Sequence, residues 1–227
     1  VIFHNVIQIA GVIDKDEADM LVDAGVDYLG FPLRLKDGRE DLSEEAAAEI
    51  IRSLQPPVYG VNITYISFAE EIRQFCDALG AKVVQLHGTV EKNELRKLKI
   101  IAPDLGIIKS LIVRGDNIDD LRLQLKEFSP LVDSFITDTF DPATGRSGAT
   151  GIVHDWNISK TIVELSSKPV ILAGGLNPEN VSEAIRFVKP AGVDSHTGVE
   201  SPNGRKDPEM IYKFVSEAKS AFAEILS

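Results

Sequence analysis

Cysteine is nearly missing from this chain: Cys76 is the only one in 227 residues. A lone thiol excludes an intrachain disulfide and any multi-thiolate metal site, and it suits a reducing compartment. Long apolar runs are missing too. No stretch approaches the ~18 consecutive apolar residues of a membrane-spanning helix, and no charged segment followed by an apolar one opens the chain. These absences predict a soluble, cytoplasmic protein without a membrane partner. Positive charge is in short supply as well, since 24 Lys and Arg against 35 Asp and Glu leave a net charge of −11. That balance disfavours a nucleic-acid partner, because binding a phosphate backbone needs a broad basic face. A small anionic ligand needs only a few well-placed donors and stays open.

What is present is ordinary globular material, 44% apolar, 26% charged and 7% aromatic. The length is near the ~250 residues typical of a one-domain (β/α)₈ TIM barrel. A chain of this size buries enough core to need no disulfide or metal. Short Val- and Ile-rich runs alternate with amphipathic segments throughout. The runs are Val6–Ala10, Tyr28–Phe31, Val58–Ile63, Lys82–Leu86, Gly106–Leu111, Ser134–Thr137, Val170–Ala173 and Gly192–Asp194. Near-continuous hydrophobicity suits parallel strands covered by helices.

Helical segments have sensible boundaries. Asp16–Ala24 stops at Gly25, and Phe68–Leu79 stops at Gly80. Ser43 caps a segment with Glu44 and Glu45 in its first turn, where the helix dipole favours acids. Asn177–Pro178 predicts a cap with proline at the first helical position, and a last helix runs from Asp207-Pro208 to about Ala223. Strand–helix alternation without a Ser/Pro-rich linker predicts one closed barrel domain over residues 1–227. The alternative, an open doubly wound sheet, lacks its usual G-x-G-x-x-G after the first strand.

Chemistry in such a barrel belongs at the carboxyl ends of the strands. Ala173-Gly174-Gly175-Leu176-Asn177 closes the seventh strand, and Ser195-His196-Thr197-Gly198 closes the eighth. Glycines let backbone N–H groups approach an anion, and the loops after strands seven and eight are where barrels place phosphate. Asp138 ends the sixth run, where partial burial can raise a carboxyl pKa into the range of a general acid; a loop-bracing role is the bland alternative. His87 ends the fourth run in Gln85-Leu86-His87-Gly88, as a catalyst or a structural hydrogen-bonding group. Asp141 reads as an exposed turn residue, and His4 and His154 lack a strand-end position. Two loops stand out. Asp138–Asp155 is glycine-rich, a surface connection or a cover over the strand ends, and Leu33–Leu42 is crowded with Arg34, Lys36 and Arg39.

These pieces together resemble the phosphoribosylanthranilate isomerase family, tryptophan-pathway TIM barrels that perform an Amadori rearrangement. The matches run from Ala18 to Phe31 (A-x-x-x-x-x-A-G-x-D-x-L-G-F) through Val84–Gly88 and Asp138. They continue with Gly148-Ala149-Thr150-Gly151, Asp155-Trp156, Leu172–Val181 (LAGGLNPENV), Thr197–Glu200 and Lys206-Asp207. The resemblance implies that Asp138 is the general acid that opens the ribosyl ring. It implies that Arg39 holds the substrate carboxylate through a bidentate guanidinium fork, with Gln85 also binding substrate. It further implies that Gly174, Gly175, His196, Thr197 and Gly198 bind the phosphate.

The chain departs from the family at the end of the first strand. The family reads K-I-C-G there, with cysteine as general base, and this chain reads Gln8-Ile9-Ala10-Gly11. Ala10 cannot accept a proton. A family V-S-S-G likewise becomes Ser195-His196-Thr197-Gly198, so an imidazole replaces a small serine. His196 could bond the phosphate, serve as a replacement base or point outward, and His87 and Asp14 are the other candidate bases. Three functions follow: the isomerisation with a substitute base, another reaction on a related sugar phosphate, or phosphosugar binding without turnover. No cofactor is expected, and the partner is a small sugar phosphate on a monomer or homodimer.

Overall fold

A computed structural model describes residues 3–35, 42–115, 117–141, 146–147 and 155–225. Among these, eight parallel strands close on one another: β1 Val6–Ala10, β2 Tyr28–Pro32, β3 Tyr59–Thr64, β4 Val83–Leu86, β5 Gly106–Val113, β6 Ser134–Asp141, β7 Val170–Leu172 and β8 Gly192–Ser195. β1 pairs with β8 as well as β2, and β5 pairs with β6, which shuts the ring. Helices α1 Lys15–Ala24, α2 Glu44–Ser53, α3 Ala69–Leu79, α4 Lys92–Ile101, α5 Ile118–Phe128, α6 Trp156–Leu165, α7 Val181–Val188 and α8 Pro208–Ile225 follow the strands in turn. The chain is a TIM barrel. None of the described helices is long and apolar enough to cross a membrane.

Successive strand side chains point to opposite faces, and this alternation splits the core in two. Ile7, Ile9, Phe135, Val170 and Leu172 pack outward against the helices. Val6, Ala10, Val61, Ile108, Ile136, Ile171 and Ala173 fill the barrel itself. At its amino end the interior is plugged by Phe3, Tyr28 and Tyr59, whose rings meet edge to face at 6.0 and 6.1 Å. Edge-to-face contact places the positive ring edge on the negative ring face, a better arrangement than direct stacking. The same alternation turns Gln8, Asp138 and Asp194 inward at the other end, where the interior becomes polar.

Local signals act as the sequence predicts at several helix ends. Gly25 and Gly80 adopt φ values of 85° and 78°, and their N–H groups cap the carbonyls left free at the ends of α1 and α3. The Ser43 Oγ accepts from Ala46 N–H at 3.2 Å to start α2. Three expectations are corrected. Asn177 does not start α7: its Oδ1 accepts from Glu179 and Asn180 N–H at 2.9 and 3.2 Å, which forms a turn, and the helix begins at Val181. β6 does not end at Asp138 but runs on to Asp141, because the two-residue strand Arg146–Ser147 folds back antiparallel on Phe140 and Asp141. Asp141 is therefore a strand residue and not a turn residue. The remainder of the glycine-rich loop, including His154, lies outside the described residues, as do Lys36 and Arg39.

Candidate active site

The loops after β7 and β8 come together as one unit. Gly174 and Gly175 take φ values of 108° and 66°, a left-handed backbone that side chains rarely adopt. Thr137 ties this loop to β6: its Oγ1 accepts from Ala173 N–H at 3.0 Å and donates to Ala173 O at 3.2 Å. Asn180 Nδ2 donates to Gly175 O, and Ser195 Oγ donates to Leu176 O at 2.7 Å. A short 3₁₀ turn, Thr197–Val199, follows β8. Gly198 sits so close to the other loop that a Cβ there would lie 1.9 Å from Leu176 O. Gly174, Gly175, Thr197 and Gly198 are thus brought to one place.

Behind them stands a buried charge cluster. Lys206 Nζ donates to Glu200 Oε1 at 2.6 Å and to His196 O at 3.2 Å, and its side chain is wholly buried. Glu17 accepts from Lys206 N–H at 2.8 Å and from Ile13 N–H at 3.1 Å, which staples the loop after β1 to the segment after β8. The His196 ring does not point away from the protein. Its Nε2 lies 3.4 Å from Glu200 Oε1, and the ring covers Gly11, where an added Cβ would meet Nε2 at 2.2 Å. Asp14 is committed elsewhere. It caps α1 through Glu17 N–H and binds Arg205 at 2.6 Å, and these bonds hold its carboxyl below the usual range.

On the far side, Asp138 is buried, and its Oδ1 accepts from Thr139 N–H at 2.8 Å. Its Oδ2 is 3.2 Å from His87 Nδ1, which in turn lies 3.1 Å from Ser110 Oγ. Burial pushes the Asp138 carboxyl up to about 7, against the smaller downward pull of the Thr139 N–H. At neutral pH such a group both holds and releases a proton, as a general acid must. Gln85 is buried and its Oε1 accepts from Gln8 Nε2 at 2.9 Å, across the barrel interior. Ala10 presents only a methyl group, 5% exposed, beside the bare backbone of Gly30.

Two tightly packed glycine-containing loops and an inward acid near neutrality thus share the carboxyl end of the barrel. The family model described as N-(5'phosphoribosyl)anthranilate (PRA) isomerase matches residues 7–217. The chain belongs to the phosphoribosylanthranilate isomerase family. Among curated relatives, isomerase 2 of Methanosarcina mazei is 38% identical over 96% of each chain. Monomers of the dimeric isomerase from Thermotoga maritima are 29% identical, covering 95% of this chain and 98% of that one, with a TM-score of 0.78. A family structure in complex with reduced 1-(o-carboxyphenylamino)-1-deoxyribulose 5-phosphate covers the same shares at 29% identity, with a TM-score of 0.77.

The sequence alone assigned no role to Asp194, Lys206 or Glu200, which the fold brings beside these candidates. Lys206 and Glu200 stood within the motifs that carry the family resemblance, but no local signal paired them. Asp194 was legible only as an acid in a short apolar strand. Period-two alternation from Val193, which packs outward, would have turned it inward.

Proposed function

We infer that this protein is a phosphoribosylanthranilate isomerase, converting a phosphoribosyl amine from aldose to ketose by an Amadori rearrangement. The observation that carries the reading is the inward, buried Asp138 with its raised pKa, facing the mouth of a barrel that matches the family along nearly its whole length. Asp138 gives its proton to the ring oxygen as the C1′–O bond breaks, and the amine lone pair forms the C1′=N bond. A base then takes the C2′ proton, the electrons fall into a C1′=C2′ enol, and reprotonation at C1′ with loss of the hydroxyl proton gives the ketone. His87 lies against Asp138 and sets its orientation. Backbone N–H groups of Gly174, Gly175, Thr197 and Gly198 hold the phosphate, and His196 borders that site. Arg39 takes the anthranilate carboxylate, and Gln85 lines the substrate side.

All of these residues come from one chain, so a monomer or a homodimer serves equally; the Thermotoga relative is described as dimeric. Ala10 favours a second reading, a phosphosugar-binding relative without turnover, because a methyl group stands where the family places its thiol base. A turnover assay with phosphoribosylanthranilate, beside a binding titration with the reduced deoxyribulose phosphate analogue, decides between them. Turnover supports the isomerase, tight binding without turnover supports the second reading, and binding only of a non-aromatic sugar phosphate points to another reaction.

A further inference from the structure

The position that should supply the base is a methyl group, so the isomerisation needs another proton acceptor in the barrel mouth. Asp194 stands out. Its Cα is in register with Gln8, on the strand adjoining the one that ends in Ala10. Gln8 donates one hydrogen bond to the Asp194 carboxylate and another to Gln85 Oε1. Asp194 Oδ1 is buried with no hydrogen-bond partner among the described residues. An unpartnered carboxylate oxygen in a low-dielectric site is a strong proton acceptor, because water does not stabilise its charge.

Asp194 also lies two strands from the acid, at the same height in the barrel. Pairing runs Ile136 to Ile171 across β6–β7, and Leu172 to Val193 across β7–β8. Carrying both registers forward puts Asp138, Ala173 and Asp194 on one level. Strands lie about 4.7–4.9 Å apart, so the two backbones are roughly 10 Å from each other, with only the small Ala173 side chain between them. That is room for a sugar carbon chain. The remaining candidates are engaged: Asp14 by Arg205 and the α1 cap, His87 by Ser110 and Asp138, His196 by Glu200 and Gly11.

We propose that Asp194 is the general base of this chain, taking the C2′ proton in place of the thiol that Ala10 lacks. The step balances: the C2′–H bond breaks, an O–H bond forms on Asp194 Oδ1, and the bonding pair becomes the C1′=C2′ π bond as the C1′=N electrons return to nitrogen. The same proton can then go to C1′. Burial, with Asp138 nearby, raises Asp194 to about 7, against the hydrogen bond from Gln8 and the more distant charge of Lys206. Gln8 is neutral, so β1 brings no cation against this carboxylate.

The proposal rests on the isomerase reading, and the test separates the two. Wild type, Asp194→Asn and Gln8→Lys are assayed with phosphoribosylanthranilate, and binding is titrated with the reduced analogue. Asp194→Asn should lower kcat by about 10²–10⁴-fold, the usual contribution of a general base, with the analogue Kd within about threefold. Wild type without turnover overturns the isomerase reading and this proposal together. Wild-type turnover with Asp194→Asn kcat within about threefold overturns this proposal alone. Should Asp194→Asn fail to fold, Gln8→Lys decides. Its ammonium would pair with Asp194 and weaken it as a base, so kcat should fall about tenfold, and an unchanged or higher kcat overturns the assignment.

Discussion

His87 Nδ1 lies 3.2 Å from Asp138 Oδ2, so an imidazole on β4's end touches the carboxylate that β6 turns into the barrel. Ser110 Oγ, 3.1 Å from the same nitrogen, fixes the ring from β5. Three consecutive strands thereby orient one acid. Asp138→Asn keeps the shape and the bond from Thr139 but has no carboxyl proton to give. Its kcat should fall by about 10²–10⁴-fold while the reduced analogue still binds, and steady-state kinetics beside a titration check both.

The raised pKa of Asp138 also couples stability to pH. Its folded value of about 7 exceeds an unfolded value near 3.9, so the native state binds more protons between them. The contribution is fully present below the unfolded pKa and is lost as pH rises through about 7. Asp138→Asn escapes that loss. Relative to wild type, its Tm should therefore improve between pH 5 and pH 8 in matched thermal melts, and a constant offset would contradict the burial argument.

Gly198 packs against Leu176 O with no room for a side chain. Gly198→Ala must push the loops after β7 and β8 apart, at a cost of about 1–3 kcal/mol for overpacking. Inorganic phosphate should bind at least about tenfold more weakly, since a shift of that loop displaces backbone donors. Gly204→Ala is the control. Its φ is 82° with nothing within 4 Å, so it should strain the backbone without touching phosphate affinity in a calorimetric titration.

Lys206 has a fully buried side chain and neutralises Glu200. Lys206→Met removes the cation and strands the carboxylate, so unfolding in urea should show a loss of about 3–5 kcal/mol. Lys206→Met with Glu200→Gln should recover much of that loss, because the uncompensated charge is then gone too. Equal losses in the single and double variants would show that packing, not charge, sets the effect.

Ala10→Cys puts a thiol at the end of β1. Gly30 has no side chain to crowd residue 10, whereas a Cβ there would lie 3.1 Å from the Ala10 Cβ. A thiol works as a base only when its pKa falls towards neutrality, and a nearby cation does this. Gln8→Lys with Ala10→Cys should therefore exceed Ala10→Cys alone in kcat/KM on phosphoribosylanthranilate. Both should also restore turnover to Asp194→Asn, and failure of both in folded protein would place the divergence in the substrate pocket instead.

The barrel was legible in the chain alone, and so were the candidate residues at its strand ends. Eight apolar runs separated by amphipathic segments leave few architectures open, since each run must be covered by helices and each crossover is right-handed. The paired glycines after β7, the Thr197-Gly198 turn and Asp138 are local features with local meanings. The extent of β6 and the start of α7 were not, because a fold-back pairing and an asparagine turn overrode the pattern.

Tertiary structure alone decided the electrostatics. Glu17 and Lys206 are 189 residues apart in sequence, yet one staples the other's backbone. Whether Asp194 is a solvated acid or one with a buried, unpartnered oxygen depends on the closure of β8 against β1, and on Gln8 standing beside it. Charge interactions depend on distance and dielectric, and neither exists along a sequence until the ring closes.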